Sequence, residues 1–149
     1  MNISTKSYKY QIWNEKFPKL KNNLKKLPYH RSWDSFFKKL RMCNTGLQKL
    51  EENKGYFSTE FLNKRIDELR FLRAFYYSEF FMRIGGLPII TAPLDRNTMS
   101  DDELLKPRAT FEETFDFIIS ELSDIISNEN LSIKYSNGNE DAGRATLGA

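Results

Sequence analysis

The chain has few of the residues from which metal sites, disulfides and catalytic centres are usually built. Its 149 residues include one cysteine, Cys43, and one histidine, His30. A single cysteine excludes an intrachain disulfide and a multi-cysteine metal site, and a place in the hydrophobic core is the favoured role for it. His30 has no Cys or His near it in the sequence. No paired base and nucleophile is found either, so we predict a protein that is not an enzyme and uses no metal or cofactor.

Glycine and proline are also sparse, at 7 and 5 residues, which argues against a turn-rich β architecture. No run of about 18 apolar residues occurs, so no transmembrane helix is predicted. Residues 1–6 lack the apolar core of a secretory signal, and we find neither a signal peptide nor a lipidated cysteine in the sequence as written.

Basic residues are concentrated in the first third of the chain. Residues 1–49 hold twelve Lys and Arg against two acids, whereas residues 50–149 hold eleven against eighteen. Such asymmetry can indicate a nucleic acid, an anionic membrane or an acidic protein as partner. Solvated lysines on exposed helix faces are the favoured interpretation, because the lysines occur singly or in pairs.

The apolar residues recur at steps of three and four, which predicts an all-α fold. We predict helices at about residues 18–27, 32–52, 60–84 and 111–127. Ser32 and Thr59 are the predicted N-caps of the second and third helices. Thr110 and Glu113 have the spacing of a capping box at the start of the fourth.

The remaining segments are predicted to be irregular. Residues 1–17 have no clean period, and residues 87–94 form a short apolar stretch bounded by prolines, which cannot be a central strand. Residues 95–108 and 130–143 are predicted to be exposed polar loops. Residues 144–149 have the pattern of a helix beginning, so we expect the chain to be part of a longer protein.

The third predicted helix contains an aromatic run, Phe71 to Tyr77, that could suggest a platform for sugar rings. Seven consecutive helical residues point all round the helix, so most of these aromatics are predicted to be core. Arg73 and Arg83 could clamp a ligand, but surface or interhelix salt bridges are favoured. The pair Gly85-Gly86 follows a helix and lacks the spacing of a phosphate-binding loop.

Four motifs follow one another along the chain: Trp33-Asp34-Ser35-Phe36-Phe37 with Arg41, Cys43 and Asn44; Phe71 to Tyr77 with Arg83, Gly85, Gly86, Leu87 and Pro88; Pro107-Arg108-Ala109-Thr110 with Glu112, Glu113 and Phe117-Ile118-Ile119; and Gly143-Arg144-Ala145-Thr146 with Gly148 and Ala149. In this order they resemble the SusD/RagB family of outer-membrane nutrient-binding lipoproteins of Bacteroidetes. The resemblance covers about residues 29–149, whereas residues 1–28 match no motif of the family.

The resemblance implies an all-α fold of tetratricopeptide-like helix pairs in one SusD-like region over residues 1–149. It also implies a non-enzymatic protein that binds a glycan or oligosaccharide above a SusC-like TonB-dependent transporter at the cell outer membrane. Compared with the family, this chain is expected to be an internal or truncated portion.

Aromatic residues outside the helical stripes are the candidate ligand-binding residues, namely Tyr10, Trp13 and Tyr29. An amphipathic ring on a loop can stack on a sugar while its polar end stays in water. The alternative function is a helical-repeat interaction module whose basic N-terminal half binds an acidic protein or a nucleic acid. We favour the glycan, without a nucleic-acid partner.

Overall fold

The computed structural model describes residues 28–135 and 144–148, with side chains described from residue 33 onward. The described elements are four α-helices and one 3₁₀ turn: α1 Pro28–Glu52, the turn Lys54–Tyr56, α2 Thr59–Ile84, α3 Asp101–Leu104 and α4 Phe111–Asn128. No strand occurs within these described ranges, and the predicted all-α class is confirmed. The helix predicted at residues 18–27 lies outside the described residues.

The chain divides into two compact units, Met1–Phe37 and Lys38–Ala149. In the described part of the first unit, the rings of Trp33, Phe36 and Phe37 pack against one another, with Trp33 and Phe37 edge to face at 5.1 Å. The second unit contains the rest of α1, the other helices and their connections. Its core includes Leu40, Cys43, Tyr77 and Leu87, so the predicted burial of Cys43 is confirmed.

Two predicted helix starts were wrong by a few residues. Helix α1 begins at Pro28, so Ser32 lies within the helix and is not its cap. Proline suits the first helical position because its fixed φ is helical and its missing N–H would have no partner there. At α2 the cap is Ser58, whose hydroxyl oxygen accepts from the Phe61 amide at 3.3 Å, and Thr59 is the first helical residue.

Helix α2 ends at Ile84, where Gly85 takes φ +75° and donates its N–H to the Phe81 carbonyl at 2.8 Å. That positive φ favours glycine, because a Cβ would meet the backbone there. Helix α4 runs antiparallel to α2, since Phe81 contacts Phe111 at one end and Arg70 contacts Asp124 at the other. The predicted capping box of α4 is confirmed, with Glu113 N–H donating to Thr110 Oγ1 at 3.1 Å and the Glu113 carboxylate accepting from Thr110 N–H.

Two predictions for the connecting regions need correction. The predicted loop at residues 95–108 contains the one-turn helix α3, which begins where Ser100 and Glu103 bond to each other. Residues 144–148 form a bend and a turn instead of the predicted start of a helix, with Leu147 N–H donating to the Ser132 carbonyl. The stretch after Gly85 belongs to neither a helix nor a strand, in agreement with the prediction that it is not a central strand.

Candidate functional site

The most buried polar cluster is centred on Arg73 of α2. Its Nε and Nη2 donate to Glu121 Oε2 at 3.1 and 2.6 Å, and its Nη1 donates to Asn44 Oδ1 at 2.9 Å and to the Thr91 carbonyl at 3.2 Å. Arg70 donates to the other oxygen of Glu121 at 3.0 Å. Because these donors are directed at neighbouring protein groups, Arg73 ties three parts of the second unit together. The predicted interhelix salt bridge is therefore confirmed for Arg73.

The cluster also holds residues 86–92, which we call the connecting segment. Tyr77 Oη donates to the Pro88 carbonyl and accepts from the Ile90 amide, both at 2.8 Å. Asn44 Nδ2 donates to the Ile90 carbonyl at 3.0 Å. Side chains of α1 and α2 thus satisfy backbone polar groups of a segment that lies outside helices and strands.

Helix α4 holds the start of the same segment. Leu87 N–H donates to Thr114 Oγ1 at 2.9 Å, and the Leu87 carbonyl accepts from Ala109 N–H at 3.1 Å. Arg108 donates to the Gly86 carbonyl at 2.9 Å and to the Ile84 carbonyl at 2.8 Å. We conclude that the Arg73 cluster and the connecting segment are structural, because their polar groups are directed at one another.

Alkaline pH should weaken the contribution of Tyr77 to the free energy of unfolding. Burial raises the pKa of Tyr77 to about 12, whereas an unfolded tyrosine ionises near pH 10. Its stabilising contribution is therefore complete below about pH 10 and is lost as pH rises toward about 12. We expect the stability difference between the wild type and Tyr77→Phe to shrink by about 1.4 kcal/mol between about pH 8 and about pH 11, measured by urea unfolding. A pH-independent difference would contradict this burial effect, since the other titrating groups are common to both proteins.

A groove of about 590 Å³ opens between α1 and α2 within the second unit. We call it the α1–α2 groove, and it is lined by Gly46, Lys49, Leu50, Asn53, Tyr56, Phe57, Phe61, Arg65, Glu68, Leu69, Leu72 and Arg144. The 3₁₀ turn contributes Tyr56, whose surface is 85% exposed, and Phe57 follows the turn with 44% of its surface exposed. The first turn of α2 contributes Phe61, which is 40% exposed. Concave sites of about 300–1,000 Å³ with apolar walls and a few polar groups are typical of ligand binding.

The polar wall of the groove is built around the buried carboxylate of Glu68. Arg144 binds it with two bonds, Nε to Oε1 and Nη2 to Oε2, both at 2.7 Å. Arg65 Nη1 donates to Oε2 at 2.6 Å, and the Arg65 guanidinium lies 5.1 Å from the centre of the Phe61 ring. A carboxylate held by two arginines has a fixed position, so this wall is rigid.

Among the described residues that line this groove, none was predicted from the sequence to bind a ligand. Tyr10 and Trp13 lie outside the described residues. Tyr29 falls in the first turn of α1 instead of in a loop, and its side chain is not among those described. The sequence prediction missed Tyr56 and Phe57, although two adjacent aromatics beside a glycine between two helices meet the criterion used for the other three.

The aromatic run of α2 is less buried than predicted. Tyr77 is fully buried, but Phe75 is exposed and Phe71 and Tyr76 are partly so. Arg83 lies at the surface, 4.0 Å from Glu79, as predicted for a helix-surface pair.

Within the described residues, no group of three His, Cys, Asp or Glu side chains could hold a metal ion. In the same part of the chain, none of the helices combines the length and the apolar character needed to span a membrane.

Comparison with known proteins identifies relatives of this fold. A SusD-like family model, described as "Starch-binding associating with outer membrane", matches residues 2–148. A SusD-like protein from Bacteroides fragilis NCTC 9343 is 28% identical with a TM-score of 0.62, over 79% of this chain and 21% of that one. A SusD superfamily protein from Parabacteroides distasonis ATCC 8503 is 26% identical with a TM-score of 0.66, over 82% of this chain and 24% of that one.

A surface glycan-binding protein A from Bacteroides uniformis shares the fold, with a TM-score of 0.68 at 23% identity over 79% of this chain and 24% of that one. The chain thus spans between a fifth and a quarter of the length of these three structures. No match was found among curated proteins. The all-α, tetratricopeptide-like fold inferred from the four motifs is confirmed by these similarities.

Proposed function

This chain belongs to the SusD-like family, and we propose that it is a non-enzymatic glycan-binding component of an outer-membrane nutrient-uptake system. The observation that carries the proposal is the family match over residues 2–148, whose description combines starch binding with association with the outer membrane. The proposed partner is a SusC-like TonB-dependent transporter at the cell outer membrane.

The described structure supports a binding protein through its open α1–α2 groove, which offers aromatic rings and fixed polar groups at one surface. Aromatic rings provide a large apolar contact area, and fixed polar groups provide orientation. Both features suit a ligand that has apolar C–H faces and many hydroxyl groups, as oligosaccharides do.

Native gel electrophoresis through soluble starch, and through a panel of other neutral polysaccharides, tests the proposal. We expect at least one polysaccharide to retard the 149-residue chain relative to a gel without polysaccharide, while a non-binding protein of similar size migrates equally in both. If every polysaccharide of the panel leaves the migration unchanged, the glycan-binding function is contradicted for this chain.

A further inference from the structure

We propose that the α1–α2 groove is a binding subsite for a neutral pyranose oligosaccharide, with the exposed parts of Tyr56, Phe57 and Phe61 as its apolar contact surface. This inference rests on the proposed glycan-binding function and assigns it a place and a ligand class.

The aromatic rings of Phe57 and Phe61 are stacked on each other. The Phe57 and Phe61 rings lie 5.2 Å apart between centroids with an interplanar angle of 26°, so their faces are close to parallel. Both rings are partly exposed, and Tyr56 beside them is almost fully exposed. Apolar rings left in water are unfavourable, and a partner that covers them removes this cost. A sugar ring can cover them with its apolar C–H face, and this burial of aromatic area would stabilise the complex.

The turn that carries Tyr56 contributes no residue to the core, because Lys54–Tyr56 contains no buried residue. Gly55 within it faces open space. Tyr56 is therefore presented at the rim of the groove without a role in packing, as expected of a residue that contacts a ligand and not the fold.

Polar groups line the same groove as these rings. The Asn53 carboxamide lines the groove and is held by its Nδ2 donating to the Lys49 carbonyl at 2.8 Å. Arg65 and Arg144 line it with guanidinium groups fixed on Glu68. Amide and guanidinium groups are planar and present several hydrogen-bonding atoms at fixed spacing, which suits adjacent hydroxyl groups of a sugar.

The charge of the groove favours an uncharged ligand. Of the cations that line it in the described part of the chain, Lys49 pairs with Glu52 at 2.9 Å, while Arg65 and Arg144 both pair with Glu68. These three cations and two carboxylates leave a net charge of only +1. A site for a polyanion would need cations directed at the ligand instead of at neighbouring carboxylates.

The test compares two variants of the full 149-residue chain in the starch or other polysaccharide gel that retards the wild type. Phe57→Ala/Phe61→Ala removes the parallel rings, and we expect binding to weaken about tenfold or more. Phe115→Ala is the matched control, because Phe115 is similarly exposed at 47% but lies on α4 and does not line the groove. It should bind as the wild type does.

Thermal unfolding of each variant shows whether the fold is retained. If the double variant unfolds, Tyr56→Ala replaces it, since that side chain contributes nothing to the core and should weaken binding severalfold. Wild-type affinity in a folded groove variant would overturn the subsite while leaving the glycan-binding function intact. The subsite would also be overturned if Phe115→Ala lost as much polysaccharide binding as the groove variant. If the wild type bound no polysaccharide, both proposals would be contradicted.

Discussion

Replacing Arg73 by methionine is expected to lower the free energy of unfolding by about 3–5 kcal/mol, the largest effect of any single change considered for this chain. Arg73 is buried, and its guanidinium donates to Glu121, Asn44 and the Thr91 carbonyl. Methionine fills a similar volume but donates nothing. The Glu121 carboxylate would keep Arg70 but lose its two bonds from Arg73, at 2.6 and 3.1 Å. Buried acceptors on α1 and the connecting segment would lose their donor.

Arg83→Met is the matched control, because it makes the same chemical change on the same helix. Arg83 is exposed and lies 4.0 Å from Glu79, so we expect a change within about 0.5 kcal/mol. Urea unfolding followed by circular dichroism measures both variants. Similar losses for the two arginines would show that the Arg73 cluster does not stabilise the fold as described.

The second large effect is expected from Gly86→Ala, which should destabilise the protein by about 3 kcal/mol, at the upper end of the range for overpacking. A Cβ on Gly86 would collide with the Ala109 carbonyl oxygen and come within 2.8 Å of the Thr110 carbonyl carbon. Both are backbone atoms, so no side-chain rotation can relieve the clash. The chain would have to separate the connecting segment from the start of α4, where Ala109 N–H bonds the Leu87 carbonyl.

Gly55→Ala is the control for Gly86→Ala. A Cβ at Gly55 meets nothing within 4 Å, and its φ is not in the left-handed region. We expect its unfolding midpoint in urea to stay near that of the wild type, within about 0.5 kcal/mol. An equally stable Gly86→Ala protein would contradict the close approach of the connecting segment to α4.

Local signals were sufficient to predict some of the helix ends. The capping box at Thr110 and the glycines after Ile84 act on neighbouring residues, so their effect can be recognised without knowing the fold. The start of α1 was missed because Ser32 was given more weight as a cap than Pro28 as a first helical residue. Both residues are favourable near a helix start, and the sequence contains nothing that ranks one above the other.

Buried charges could not be predicted from periodicity. In α2 the buried residues include Asp67, Glu68 and Arg73, whereas the apolar Leu72 is exposed. A prediction from periodicity places charged side chains on the solvent side of a helix, because a charged group is buried only when it is paired or hydrogen-bonded. Those partners are distant in sequence: Asp67 accepts from Asn128 and Asn130, and Glu68 binds Arg144.

The α1–α2 groove could not be predicted either, because residues that are distant in sequence form it. Its lining residues come from the end of α1, the turn, the first half of α2 and Arg144, and only the fold brings them together. The role of aromatics outside helical stripes in ligand binding stays a prediction from the sequence. The sequence could not show that Tyr56 and Phe57 stand beside a concave surface, because concavity depends on how two helices pack.

The affinity of the chain for the retarding neutral polysaccharide at about 50 mM and about 200 mM salt tests the proposed glycan binding most directly. Stacking and hydrogen bonding to an uncharged sugar release no counterions, so we expect the same Kd at both concentrations. Binding through the basic N-terminal half, with its net charge of +10 over residues 1–49, would respond to salt as polyanion binding does. A Kd that rises steeply with salt, or no measurable binding at either concentration, would contradict the account.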